Sequence, residues 1–345
     1  MLTNEEVLEV REILQNAVNP LFYFDNDQDG LCSYLLLRRF TGKGNGVPVK
    51  TSPLDMSYYR RVHEFNPDVV FILDQPTVSK EFFLELEKEG VLVVWIDHHE
   101  TNLEEIPPFV KYYNSLYNKN KVNIPVTSLC YQITNRKEDL WLGVIGCISD
   151  KNLPSYYSEF LEKYPDLSIN STEPFEIYYN STIGRIARMI GTGLKDRTTN
   201  VIKMMKFLVS AKTPYEILEE NRENRTVHER FEAIDFKLKK LIEKAKESVD
   251  DTNVLFFKYS GETSMSADIA NKLSYLYPDK YLIVAFIKGA RVNLSIRGKK
   301  VRDIASEAIK EFPLATSGGH EDAVGAQLNL EELEKFVENF RGLIN

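Results

Sequence analysis

Between Phe24 and Gly30 the chain carries Asp25, Asp27 and Asp29 at alternate positions, in the run Asp-Asn-Asp-Gln-Asp-Gly, directly after an apolar stretch. If that stretch is a strand that continues through them, alternation sends all three carboxylates to one face. Clustered anions raise one another's pKa unless a cation lies among them, and a divalent metal meets that need. The same spacing opens an EF-hand calcium loop, but such a loop requires a bidentate Glu at its twelfth position and a helix on each side. Position twelve here is Leu36, and the upstream flank Leu21-Phe22-Tyr23-Phe24 is strand-like. A solvated acidic turn is the other bland reading of the stretch taken alone.

Three more places decide against that turn. Asp74 closes the apolar run 69–73, Asp97-His98-His99 closes the run 91–96, and Asp150 follows the apolar segment 141–148 with its small Gly143 and Gly146. Ligands of open α/β sheets collect outside the carboxyl ends of the strands, so these motifs point to one shared crevice. Carboxylates with imidazoles and no thiolate suit Mn²⁺ or Mg²⁺. The donors exceed the needs of one ion. Two ions about 3.5–4 Å apart, sharing a carboxylate, are a usual clamp for a phosphoryl group.

The elements that must position these residues are readable from periodicity. Val7, Leu8, Val10, Ile13, Leu14 and Val18 predict a leading amphipathic helix, ended by Pro20. A strand over 21–24 follows, and Gly30 permits a sharp turn into a helix over 31–40. A glycine-rich loop is expected at 42–46 and helices at 58–65 and 80–89. Buried strands lie between them, and strand-helix alternation predicts a parallel sheet. The stretch 180–193, with Arg185 and Arg188, reads slightly better as an ordinary capped helix than as a phosphate site. Val227, Phe231, Ile234, Leu238, Leu241 and Ala245 mark a long amphipathic helix that serves as a connector. After Asp250-Asp251 a second α/β unit is expected, with strands at 254–259, 281–287, 292–297 and 328–330. Its helices are 266–275, 301–312 and one from Glu332, with a loop at Ser317-Gly318-Gly319-His320. The expected division is a catalytic domain over 1–193, a helical connector over 194–250 and a smaller α/β domain over 251–345, with the active-site cleft between the two domains.

The 345 residues, 43% hydrophobic and 27% charged, describe globular rather than disordered chain. Cys32, Cys130 and Cys147 are isolated, which argues for a reducing cytoplasm and against a thiolate zinc site. No apolar run approaches the roughly 20 residues of a membrane span, and the acidic N-terminus is unlike a signal peptide. A net charge of −8 excludes indiscriminate coating of nucleic acid. Locally, however, Lys288, Arg291, Arg297, Lys299, Lys300 and Arg302 form a basic run without an acid.

Taken together, the four acidic and His-His motifs in this order resemble the DHH phosphoesterase superfamily. Asp97-His98-His99 stands as its namesake triplet, Asp25 to Gly30 as its first motif, and Asp74 and Asp150 as its isolated aspartates. Ser295-Ile296-Arg297 and the Gly318-Gly319-His320 loop resemble the DHH-associated C-terminal domain, so the resemblance spans nearly the whole chain. It implies that Asp27, Asp29, Asp74, His98 and Asp150 ligate two Mn²⁺ or Mg²⁺ ions, with Asp74 bridging and Asp25 completing a shell. His99 would face substrate and Asp97 would orient the imidazoles. Ser295, Arg297 and His320 would hold phosphates, Gly318 and Gly319 would let the backbone approach them, and Arg291 would add charge. Many relatives have a His where this chain has Tyr23, so one ion depends more on Asp25.

The implied activity is a RecJ-like exonuclease that hydrolyses single-stranded DNA or RNA, or short oligonucleotides, with water activated by two metals. Longer RecJ enzymes carry further nucleic-acid-binding modules, so short substrates are the better-supported ones. A phosphatase of nucleotide bisphosphates or cyclic dinucleotides shares the chemistry. A non-catalytic scaffold with a replication or repair partner is the alternative of a different class. Such scaffolds are expected to lose ligands, which this chain keeps.

Overall fold

The computed structural model describes residues 1–344, in two compact units, Met1–Phe231 and Glu232–Asn345. The first unit begins with α1 (Asn4–Asn16), β1 (Leu21–Asp25), α2 (Gln28–Thr41), β2 (Asn45–Val49), α3 (Arg60–Phe65), β3 (Val69–Leu73), α4 (Lys80–Lys88), β4 (Leu92–Asp97) and β5 (Val110–Asn114). It continues with α5 (Val126–Thr134), α6 (Leu140–Ser149), α7 (Tyr157–Lys163), α8 (Pro174–Asn180), α9 (Thr182–Leu194), α10 (Thr198–Ser210) and α11 (Tyr215–Leu218). Helix α12 (Arg225–Lys246) starts in this unit and ends in the second.

The five strands are parallel in the order β2-β1-β3-β4-β5. Strand order reverses between β1 and β3, and the crevice outside their carboxyl ends is where such sheets bind ligands. Alternate residues bury opposite faces. Phe22, Phe24, Phe71 and Leu73 pack with α1, α2, α5 and α6, whereas Tyr23, Val70, Ile72 and Trp95 pack with Val62 of α3 and Phe82, Phe83 and Leu86 of α4. Both faces being covered explains the continuous apolar runs.

Several local expectations change. Only Asp25 of the three alternating aspartates lies on a strand. Asp27 is the N-cap of α2, its Oδ1 accepting from Gly30 N at 2.9 Å, and Asp29 sits in the first helical turn. Gly30 makes no turn. It is helical, and a Cβ there would lie 2.4 Å from the Asp25 carbonyl oxygen, so the missing side chain lets the helix close against the strand end. The loop expected at 42–46 ends as β2, an edge strand whose Pro48 needs no ladder donor. Strand β5 went unread. The segment before Asp150 is helix α6, with nine of its ten residues buried. Burial all round erases periodicity, so strand and helix look alike in sequence.

The connector limits also shift. Leu194, Val201, Met204, Met205, Phe207, Leu208 and Ile217 are buried in the first unit's core rather than spanning between domains. Their helical apolar stripes find partners there. In α12, Val227 and Phe231 belong to that same core, and Ala245 is buried in the second unit.

The second unit contains β6 (Val254–Ser260), α13 (Ser266–Leu276), β7 (Tyr281–Lys288), β8 (Arg291–Arg297), α14 (Val301–Ala308), β9 (Thr316–His320), β10 (Ala323–Asn329) and α15 (Leu333–Ile344). Its sheet runs β6-β7-β8-β10-β9, with β6 and β7 parallel and the other pairs antiparallel. The Gly318-Gly319-His320 stretch is therefore edge strand β9, not a loop, and the last expected strand begins at Ala323. Glycines read as loop because they lower strand propensity, while pairing to β10 overrides it here. Helices α14 and α15 cover one face, and α13 covers β6, β7 and part of β8 on the other. No helix among the described residues is long and apolar enough to cross a membrane.

Candidate metal centre

The switch point of the first sheet gathers the acidic and imidazole groups. Asp74 follows the last residue of β3 with φ +59, a left-handed conformation uncommon outside glycine. Its backbone N donates to Ile96 O at 3.0 Å, which extends the β3–β4 ladder and fixes its side chain beside the end of β4. Asp74 Oδ1 is 3.2 Å from His98 Nε2 and 3.9 Å from His99 Nδ1. That oxygen is buried and accepts no hydrogen bond that satisfies it. Asp74 also takes part in three potential metal-holding groups, Asp29-Asp74-His98, Asp25-Asp27-Asp74 and Asp74-Asp97-His99, each with ligand atoms within 4.8 Å of one another. A buried carboxylate oxygen without a well-directed hydrogen bond, at the junction of such groups, fits a divalent ion.

The neighbours are held from outside the cluster. Asp29, 2% exposed, accepts from Val126 N at 2.9 Å and Thr127 N at 2.7 Å. Helix α5 starts after Pro125 and has no cap of its own, so Asp29 supplies it from 97 residues away. His98 Nδ1 pairs with Asn123 Oδ1 at 2.8 Å, which makes Nδ1 the protonated nitrogen and leaves Nε2 facing Asp74. Asp97, wholly buried, lies 2.7 Å from His99 Nδ1 and accepts from His99 N at 3.2 Å. Asp150 caps the end of α6, its Oδ2 3.8 Å from His98 Nδ1. Gln75 donates to Asp25 Oδ1 at 3.3 Å, and Trp95 Nε1 holds the Gln75 carbonyl at 3.1 Å. Asn123 and Gln75 escaped the sequence reading because an amide outside any motif carries no spacing signal. The resemblance's eight residues of this unit thus all meet at one place, though Asp150 arrives from a helix.

Without ions, Asp25, Asp27, Asp74 and Asp150 are held above the usual carboxylate range. Burial, then the charge of Asp27, pushes Asp25 up to about 7. Burial, with Asp29 and Asp27, raises Asp150 to about 8 against the pull of His98. Burial and neighbouring carboxylates raise Asp27 and Asp74 too. Burial alone would lower His98, but Asp74 beside it, with Asp150 and Asp29, outweighs this and raises it. A carboxyl with a raised folded pKa binds protons that the unfolded chain has released, so stability is lost as pH rises from about 4 toward 7–8. Metal binding expels the same protons. The rise in Tm produced by Mn²⁺ should therefore grow between pH 6 and pH 8, measured by differential scanning calorimetry. A metal-induced shift that stays constant across that range would contradict the cluster's protonation.

In the second unit, Ser295, Arg297, Gly318 and His320 share one face of the sheet. In register, Ser295 and Gly318 both oppose Gly325, and Arg297 and His320 both oppose Ala323. This is the face on which α13 packs. Ser295 Oγ donates to Ser266 Oγ at 2.9 Å, and Arg297 Nε donates to Asn271 Oδ1 at 2.7 Å. Gly319 points the other way with φ +142, and a Cβ there would meet the Ala323 carbonyl at 2.3 Å. A Cβ on Gly318 would meet nothing within 4 Å, so the surface above it is open. Arg291 lies at the opposite end of β8 and does not join this group. Ser266 and Asn271, which brace the group, were not singled out from sequence.

A parallel sheet whose reversal point presents carboxylates and imidazoles, joined in one chain to a second mixed sheet, has the layout of a metal-dependent phosphoesterase. Residues 21–142 match the DHH family, N-terminal domain, and residues 251–345 match the DHHA1 domain. The chain belongs to the DHH phosphoesterase superfamily and has its RecJ-like hydrolase fold. It is similar to the crystal structure of exonuclease RecJ bound to manganese, with 14% identity and TM-score 0.70 over 99% of this chain and 95% of that one. RecJ in complex with Mn²⁺ from Thermus thermophilus gives 14% identity and TM-score 0.68 over 98% of this chain and 54% of that longer one. The pGpG-specific phosphodiesterase PggH from Vibrio cholerae gives 14% and 0.53 over 95% and 99%. No curated protein sequence matches the chain.

Proposed function

We propose that this protein is a divalent-metal-dependent phosphodiesterase, a RecJ-like exonuclease acting on single-stranded DNA or RNA or on short oligonucleotides. The observation that carries this reading is the unsatisfied Asp74 Oδ1 at the junction of the carboxylate and imidazole groups. Asp29, Asp74, His98 and the nearby Asp150 would hold one Mn²⁺ or Mg²⁺. Asp25, Asp27 and Asp74 would hold a second, with Asp74 common to both. When bound, the ions supply Lewis acidity to a phosphodiester and lower the pKa of water.

The protein's own side chains do the rest. Asn123 fixes the His98 tautomer, and Asp97 holds His99 at Nδ1 in the orientation from which it would meet a substrate phosphate. Arg297, Ser295 and His320 grip phosphates, with Gly318 giving them close approach. The buried free cysteines suit a reducing cytoplasm. A second reading, hydrolysis of nucleotide bisphosphates or cyclic dinucleotides, shares the metal chemistry, and a similar structure is that of an enzyme specific for one small nucleotide substrate, pGpG.

Digestion of end-labelled DNA and RNA oligonucleotides of graded length with Mn²⁺ separates these. The exonuclease reading expects a ladder of single-nucleotide steps whose efficiency does not peak at the dinucleotide. Faster hydrolysis of a nucleotide bisphosphate or cyclic dinucleotide, assayed beside the length series, than of any strand would move the assignment to the second reading. Binding of strands without hydrolysis under any divalent ion would favour a replication or repair scaffold instead.

A further inference from the structure

Beside the metal centre, helix α8 sets Phe175, Tyr178 and Tyr179 on one face, at i, i+3 and i+4. The three rings touch one another, with centroids 6.2 Å (Phe175–Tyr178), 5.6 Å (Phe175–Tyr179) and 5.0 Å (Tyr178–Tyr179) apart. All three residues are half-buried, so none is wholly withdrawn from solvent. Cations flank them. Lys151 Nζ lies 5.5 Å from the Phe175 centroid, and the Arg188 guanidinium lies 5.7 Å from Tyr178 and 5.9 Å from Tyr179. Arg188 also donates to the Tyr178 carbonyl.

Two chain neighbours of the metal-site aspartates touch this patch. Gln28, between Asp27 and Asp29, donates to Tyr178 Oη at 3.1 Å and to Ala187 O at 3.3 Å. Lys151 directly follows Asp150, and its left-handed φ of +53 turns the chain as it leaves that residue for the Phe175 ring. The aromatic patch therefore begins one residue away from the metal-holding side chains at two separate points.

We propose that Phe175, Tyr178 and Tyr179, with Lys151 and Arg188, form a stacking platform for the nucleobase adjacent to the scissile phosphodiester. This deepens, and rests on, the phosphodiesterase reading above. Every base has a π-face, so a platform of rings and a guanidinium plane binds bases with little regard to sequence. The flanking cations counter the phosphate charge in a chain that is acidic overall. A core role accounts poorly for the patch. Of the three rings only Tyr178 packs against the first unit's hydrophobic core, and that residue too is only half-buried.

The test compares intact oligothymidylates with ones whose terminal nucleotide is abasic, using wild type and the Phe175→Ala/Tyr179→Ala variant. Wild type should favour the intact strand by roughly 10- to 100-fold in kcat/KM, as expected for one stacked base. In the variant that preference should collapse toward unity, and Phe175→Tyr/Tyr179→Phe should restore it. A terminal 2-aminopurine, placed at either end in turn, should lose fluorescence on binding wild type and not on binding the alanine variant. Equal cleavage of intact and abasic strands by wild type, or an unchanged preference in a folded variant, overturns the platform and leaves the phosphodiesterase standing. If wild type cleaves neither strand, the enzymatic reading fails, and quenching that depends on Phe175 and Tyr179 decides the platform by itself.

Discussion

Asp74→Asn should lower phosphodiester hydrolysis by at least roughly 10²–10³-fold, the loss expected when a central electrostatic partner is removed from a preorganised site. It should do so without unfolding the protein. Asparagine matches aspartate in shape, tolerates the left-handed backbone that Asp74 adopts, and leaves the Asp74 N to Ile96 O bond in place. It also removes a carboxyl whose ionisation burial and like charges already disfavour. The metal-free variant should thus be at least as stable as wild type. What should vanish is the rise in Tm that Mn²⁺ gives, because Asp74 is common to the groups that would hold the ions. Measuring turnover and metal-dependent Tm on the same preparation separates lost chemistry from lost structure. A variant that keeps wild-type turnover and its Mn²⁺ response would remove Asp74 from the site.

Gly30→Ala should fail for a different reason. The added Cβ would stand 2.4 Å from Asp25 O and 2.7 Å from Asp25 N, both backbone atoms at the end of β1 that no rotamer change can move. Strand end and helix start must separate, which costs about 2–3 kcal/mol or more. For a unit of this size that lowers Tm on the order of 5–10 °C. The shift parts Asp25 from Asp27 and Asp29, and a displacement of about 1 Å at a reacting centre can lose about 10² in rate. Gly42→Ala is the control. Gly42 ends the same helix with φ +70 and open space around it, so alanine there costs roughly 1–2 kcal/mol in backbone strain and leaves the acidic cluster untouched. Equal activity of Gly30→Ala and wild type would contradict the close approach of α2 to β1.

Much of the centre was legible because its residues end apolar runs, and a run's end is a topological statement in a parallel sheet. Asp74 and Asp97-His98-His99 follow β3 and β4 as expected. The first motif shows a limit, since strand alternation does not align Asp25, Asp27 and Asp29. A helix cap and a first helical turn bring them in instead, and Asp29 doubles as the N-terminal partner of α5 from far away in sequence. Asp150 was placed after a strand because α6 is buried on every side and shows no face. Gln75 and Asn123 were invisible, since what they do depends on contacts across 50 and 25 positions. In the second unit the Gly-Gly pair read as loop, whereas pairing with β10 makes it an edge strand that lines His320 up with Arg297 across the sheet.

Diffraction from crystals soaked in Mn²⁺, recorded at the manganese absorption edge, tests the idea on which everything else depends. Two anomalous peaks about 3.5–4 Å apart are expected, contacted by Asp25, Asp27, Asp29, Asp74, His98 and Asp150, with Asp74 touching both. A map with no peak there, or with manganese bound elsewhere while the Asp74 carboxylate stays unliganded, would contradict it.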